Sequence, residues 1–126
     1  MARHFFMSVA NVIGEIESWR PRGCARETDY RDSLYRKLED AFRTPPTKEY
    51  GHGRVRADIA FERKIGIEIK KDLDTPTKLQ RLKGQIQDMA KTFDNSIVVV
   101  VGEAPRDLLK DLRDTAHEYG VAVIKK

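Results

Sequence analysis

Three side chains in the middle of this 126-residue sequence, Asp58, Glu68 and Lys70, have the types and spacing to act on a phosphoryl group. Two alternating runs, 55–61 and 65–71, flank the short charged turn Glu62-Arg63-Lys64 and predict an antiparallel hairpin. With the turn centred on Arg63, Asp58 faces Glu68, Ile59 faces Ile67 and Phe61 faces Ile65. Alternation then puts Ile59, Phe61, Ile65, Ile67 and Ile69 on a core face, and Asp58, Glu68 and Lys70 together on the other. Two carboxylates directly opposite each other destabilise a strand pair. A divalent cation between them would turn the conflict into a site. Hard oxygen ligands suit Mg²⁺, with Mn²⁺ as a substitute. Lys70 would hold or polarise an attacking water and neutralise charge on a phosphoryl group. A solvated face on which Lys70 shields two acids accounts for the same residues. A one-residue slip would undo the pairing but leave Glu68 and Lys70 on one face.

Helices on either side have to position this hairpin. Residues 26–43 read as a helix with Tyr30, Leu34, Leu38 and Phe42 on one face, and Glu27 extends that stripe. Thr75-Pro76 starts another, running to about Phe93, with Leu79, Leu82, Ile86, Met89 and Phe93 inward and Gln85 among them. Glu27 and Gln85 are polar where the pattern predicts apolar residues. Buried polar groups need partners, and a metal site with its waters would supply them; a stripe edge open to solvent would do so equally. An N-terminal helix is predicted over 3–19, from Phe5, Phe6, Val9, Val12, Ile13, Ile16 and Trp19. It either covers the core or contacts a second copy. Residues 47–53 read as a weak first strand, and 96–101 as a continuous apolar strand covered on both faces. Pro105 opens a last helix that Gly120 ends, before a strand at 121–124. The order α-α-β-β-β-α-β-α-β predicts an α/β fold, a mixed central sheet flanked by helices.

Composition fits one soluble domain over 1–126: 40% of residues are apolar, 35% are charged, and no apolar run approaches the ~20 residues of a membrane span. No membrane partner is expected. The single cysteine, Cys24, excludes a disulfide framework and a cysteine zinc cluster. With no secretory apolar stretch at the start, the cytoplasm is the expected compartment. His4, His52 and His117 have no ligand spacing. His52, between Gly51 and Gly53, is a turn residue or a DNA contact. Of the net charge of +4, the excess falls in 46–85, with ten basic and six acidic residues. A basic surround at a carboxylate centre suits a polyanion, although a solvated face has the same composition. Arg54, Arg56, Lys71, Lys78, Arg81 and Lys83 are the candidate phosphate contacts. Such contacts fix position without reading sequence.

The run Arg56-Ala57-Asp58-Ile59-Ala60-Phe61, followed by Gly66-Ile67-Glu68-Ile69-Lys70-Lys71, resembles the PD-(D/E)XK nuclease superfamily. That superfamily includes restriction endonucleases, archaeal Holliday junction resolvases and RecB-type nucleases. Its α-β-β-β-α-β core would correspond to residues 26–101, with 3–19 outside it. The resemblance implies a Mg²⁺-dependent endo- or exodeoxyribonuclease. Asp58, Glu68 and the Ile69 carbonyl would be metal ligands and Lys70 the catalytic lysine. Glu27 would be the acid of the first core helix, and Gln85 the glutamine of the helix after the lysine. The motif's proline is Ala57 here. The implied partner is nucleic acid, DNA ahead of RNA. A dimeric junction resolvase, hence a homodimer, is one sub-case. A nuclease-like module that binds nucleic acid or protein without cutting is the alternative.

Overall fold

The computed structural model describes residues 6–53 and 55–126. Its element order is α1 (Val9–Ser18), α2 (Glu27–Ala41), β1 (Thr47–His52), β2 (Val55–Phe61), β3 (Ile65–Lys71), α3 (Pro76–Thr92), β4 (Asn95–Val101), α4 (Arg106–Glu118) and β5 (Ala122–Lys125). This is the α/β class expected, with the α-β-β-β-α-β order running from α2 to β4. The five strands lie in sequence order in one sheet. β1, β2 and β3 pair antiparallel, and β3, β4 and β5 pair parallel. The sheet is therefore mixed.

The sheet's two faces carry separate apolar layers. Ile59, Ile67, Ile97 and Val99 pack with Val12, Ile16, Leu34 and Leu38 of α1 and α2. Val98 and Val100 pack on the other face with Leu79, Leu82 and Ile86 of α3 and with Leu112 and Ala116 of α4. β4 is covered on both sides, which is why its sequence is an unbroken apolar run rather than an alternating one.

The first helix starts later than its apolar pattern predicts. Residues 6–8 are not helical, and 3–5, including Phe5, lie outside the described residues. Ser8 is the N-cap: its hydroxyl accepts from the Asn11 N–H at 3.1 Å, satisfying a group that the helix leaves without a partner. At the other end Trp19 buries its ring against Tyr30 and donates from Nε1 to Ser33 Oγ at 3.1 Å, tying α1 to α2. α3 begins as expected, with the Thr75 hydroxyl accepting from the Lys78 N–H and Pro76 at the first helical position.

Candidate active site

The hairpin register is the one the sequence predicts: Ile59 pairs with Ile67, Ala60 with Gly66 and Phe61 with Ile65. The pairing stops there, while β3 continues beside β4 as far as Lys71. Past Ile67 the edge of β3 that faces β2 therefore lacks a strand partner. Two carboxylates fill the gap. Asp58 Oδ2 accepts from the Ile69 N–H at 2.7 Å, and Glu27 Oε2, on the first turn of α2, accepts from the Lys71 N–H at 3.0 Å. These N–H groups are two residues apart and so lie on the same edge, roughly 7 Å from each other. The expected direct opposition of Asp58 and Glu68 is thereby replaced by a side chain that substitutes for the ladder. A strand residue directs its N–H and C=O to the same edge, so the Ile69 carbonyl also faces the Asp58 side.

Strict alternation breaks at Asp58. Ala57 and Ala60 both join the small apolar cluster with Met89 and Phe93, although alternation would part them. The β1–β2 register holds on both sides, with Lys48 opposite Ile59 and Tyr50 opposite Ala57. Between them Glu49 sits at φ 52°. A left-handed glutamate costs about 1–3 kcal/mol and persists only where its surroundings impose it. Here its carboxylate pairs with Arg31 of α2 at 3.2 Å, and Arg31 also holds Asp32 at 3.0 Å.

Glu68 projects from β3 toward α3, where Gln85 Nε2 donates to its Oε2 at 2.9 Å. Glu68 is 9% exposed, so the amide of Gln85, a residue at the rim, anchors a nearly buried acid. Burial, then the charge of Asp58, pushes the Glu68 carboxyl up to about 8. Burial also raises Asp58, against the Ile69 N–H that pulls it down; Glu27 raises it further and Arg31 lowers it. Two adjacent acids, one nearly buried and one half-buried, that oppose each other's ionisation are the arrangement a cation relieves.

A pocket of about 200 Å³ opens over these groups, lined by Glu49, Tyr50, Arg56, Ala57, Asp58, Glu68 and Gln85. The structure thus brings Asp58, Glu68, Gln85 and Arg56 around one cavity. Glu27 is close enough to act on the charges of both Asp58 and Glu68 but does not line the cavity. Lys70 is half-buried on β3, two residues from Glu68, and its side chain makes no hydrogen bond or ion pair among the described residues. Among the described residues, no three His, Cys, Asp or Glu side chains are arranged to hold a metal ion. The side-chain oxygens on the cavity wall are those of Asp58, Glu68, Glu49, Gln85 and Tyr50.

The expected phosphate contacts are dispersed. Lys71 pairs with Asp72 at 2.6 Å, Lys78 with Asp74 at 2.8 Å and Lys83 with Asp111 at 2.7 Å. Arg81 is exposed on α3, and Arg54 lies outside the described residues. Asp72, at φ 57°, also accepts from the Glu103 N–H at 2.9 Å, and a Cβ on Gly102 would run into its Oδ1. The Asp72–Glu103 bond ties together the two loops that leave the carboxyl ends of β3 and β4. Glu49, Tyr50 and Arg31 are the neighbours that the sequence pattern did not single out. The signal for Glu49 was the turn at Gly53, at φ 58°, beside the His52–Val55 pair. Counting back from that turn places Glu49 across from Asp58.

No protein-family model matches the chain. No curated protein matches it. Among solved structures, XPF from Aeropyrum pernix aligns with a TM-score of 0.48 and 21% sequence identity, over 56% of this chain and 40% of that one. The same protein in its complex with DNA aligns with a TM-score of 0.47 at the same identity and coverage. The chain spans less than half the length of those structures, and a likeness at this level carries no functional weight.

Proposed function

We propose that this chain is a divalent-metal-dependent nuclease that hydrolyses phosphodiester bonds in DNA, with Mg²⁺ as the natural cation and Mn²⁺ as a substitute. One observation carries the proposal: a half-buried carboxylate, Asp58, and a nearly buried one, Glu68, meet at a cavity, with a lysine on the same strand two residues from the second. The donor set fits the cation. Mg²⁺ needs only one or two carboxylates, with water and phosphate oxygens completing its shell, so the absence of a three-acid cluster does not count against it. Asp58, Glu68 and the Ile69 carbonyl would hold the cation, which when bound supplies a polarised phosphoryl group and a more acidic water.

The chain's own groups do the rest. The Ile69 N–H fixes the orientation of Asp58, and Gln85 fixes that of Glu68. Neither carboxylate has to reorganise as charge develops. The Lys70 ammonium offsets the charge that grows on the phosphoryl oxygens and holds the attacking water by its oxygen. Arg56, at the cavity wall, contacts a phosphate of the bound strand. Glu27 keeps β3 in place at Lys71 and adds negative charge behind the two ligands.

The test is cleavage of supercoiled, linear and branched DNA in Mg²⁺ and in Mn²⁺, with wild type beside Lys70→Ala and Asp58→Asn. Loss of Lys70 is expected to slow cleavage by about 10²–10³-fold while leaving the fold intact. Asp58→Asn is expected to abolish both cleavage and saturable cation binding. A folded wild type that binds no cation would refute the proposal in favour of a binding module.

A further inference from the structure

We propose that a groove between the carboxyl end of β5 and the loop joining α1 to α2 binds the phosphate backbone of the DNA, next to the strand held at Asp58 and Glu68. The inference takes its ligand from the nuclease reading. Its site is separate, on residues remote in sequence from the 46–85 segment.

Two adjoining hollows form the groove. One, of about 630 Å³, is lined by Glu17, Trp19, Arg20, Arg22, Lys125 and Lys126, with Pro21 between the arginines. The other, of about 340 Å³, shares Glu17, Lys125 and Lys126 and adds Arg113 and the end of β5. Five cations therefore face one acid, Glu17. Three of them are held by uncharged partners. Arg20 donates to the carbonyls of Glu17 and Trp19, Lys126 to the Glu17 carbonyl at 2.7 Å, and Arg113 to the Val123 carbonyl at 3.2 Å. No ion pair among the described residues engages any of the five. The lysines of the middle segment differ, since Lys71, Lys78 and Lys83 each already face a carboxylate. Positive charge left uncompensated within a groove is what a polyanion neutralises. Burial, with Arg20 and Lys37 nearby, holds the Lys126 ammonium below the usual lysine range, a sign of the same crowding.

The sheet links the groove to the cavity. Lys70 pairs with Val100, and Val100 with Lys125, so the three form one row across the parallel strands. Two inter-strand steps separate Lys70 from Lys125 by roughly 10 Å. Duplex DNA carries one charge per ~1.7 Å of axis, so that distance spans about six phosphates. Val100 is buried between the two lysines, so a duplex reaching Lys70 would cross the carboxyl ends of the three parallel strands, and at that spacing its phosphates reach the groove. On the other side the loop after Arg22 leads to Glu27, which supports the site itself.

The test compares wild type with the pair Arg22→Gln and Lys125→Gln, both exposed and making no side-chain hydrogen bond among the described residues. A reference pair, Arg36→Gln and Lys91→Gln, removes the same charge from exposed positions elsewhere on α2 and α3. Binding of a labelled 30-base-pair duplex is measured by anisotropy in EDTA, so that no strand is cut, from 50 to 200 mM salt. Removing one cation from a phosphate lowers the salt slope by about 0.9, so the groove pair is expected to lower it by about 1.8, roughly twelvefold less weakening across that fourfold range. The reference pair is expected to keep the wild-type slope. Equal slopes for both pairs overturn the groove, and so does a wild type that does not bind duplex. Cleavage in Mg²⁺ is read separately. A groove effect without cleavage leaves the groove standing and removes the nuclease reading; cleavage with equal slopes does the reverse.

Discussion

Replacing Glu68 by glutamine in the absence of divalent cations tests the electrostatic basis of the site. The Glu68 carboxyl moves from 4.5 to about 8 because it is buried and faces Asp58. Between those values the folded chain holds a proton that the unfolded chain has released. The folded state binds more protons, so stability must fall as pH rises through that window and level off above it. At 1.36 kcal/mol for each pKa unit, the loss has a ceiling on the order of 5 kcal/mol by pH 8. Asp58 is raised in the same direction, for the same first reason, and steepens the fall. Glutamine keeps the shape of the side chain and an oxygen to accept from Gln85, but cannot ionise. Urea unfolding in EDTA from pH 5 to pH 9 is the assay. Wild type is expected to lose stability steadily up to pH 8. Glu68→Gln is expected to match it near pH 5, to exceed it by at least about 1 kcal/mol at pH 8 and to have a flatter profile. Mg²⁺ at a hundred times its dissociation constant should restore roughly 2.7 kcal/mol to wild type at pH 8 and little to the variant. A flat wild-type profile in EDTA, or a variant no more stable at pH 8, would refute the reasoning.

Two further substitutions probe the frame. The Ser96 hydroxyl on β4 is buried with no hydrogen-bond partner, so Ser96→Ala should raise stability by about 1 kcal/mol in thermal or urea unfolding, since it removes only a desolvated polar group. Gly66, between Ile65 and Ile67 on β3, is in contact with Phe93: a Cβ there would lie 2.5 Å from the ring. Gly66→Ala should cost about 1–3 kcal/mol by overpacking, and an unchanged unfolding midpoint would show that the ring moves freely.

The hairpin was legible because local signals agreed: five apolar residues alternate about a short charged turn, and only one register buries them together. β4 was legible from its unbroken apolar run. What the pattern missed depends on side-chain bonds that apolar spacing does not encode. Ser8 starts α1 by bonding its first turn, while the apolar spacing runs on regardless. Asp58 was expected to face Glu68 across a continuous ladder, but the ladder opens and the carboxylate turns into it. Lys83 read as an available cation because nothing local names Asp111, on another helix, as its partner; Asp72 follows Lys71 directly, but it engages that lysine from a left-handed turn that the pattern does not show. For Lys78 the signal was present, since Asp74 is four residues before it. The charge distribution along the chain hid the groove, because Arg20 and Arg22 meet Lys125 and Lys126 only once β5 is laid beside β4.

The open end of β3 also shapes how this chain can change over generations. Asp58 and Glu27 each take a backbone N–H that a missing strand would otherwise have bonded. Losing either leaves a donor unsatisfied at a partly buried edge, a cost of about 1–3 kcal/mol whatever becomes of cleavage. Lys70 carries no such second duty. A descendant that no longer cut its substrate could therefore shed Lys70 at little structural cost, while selection for a folded chain alone would still retain the two acids. On the proposed nuclease reading, the lysine, rather than the carboxylates, would be the position that records whether cleavage is under selection.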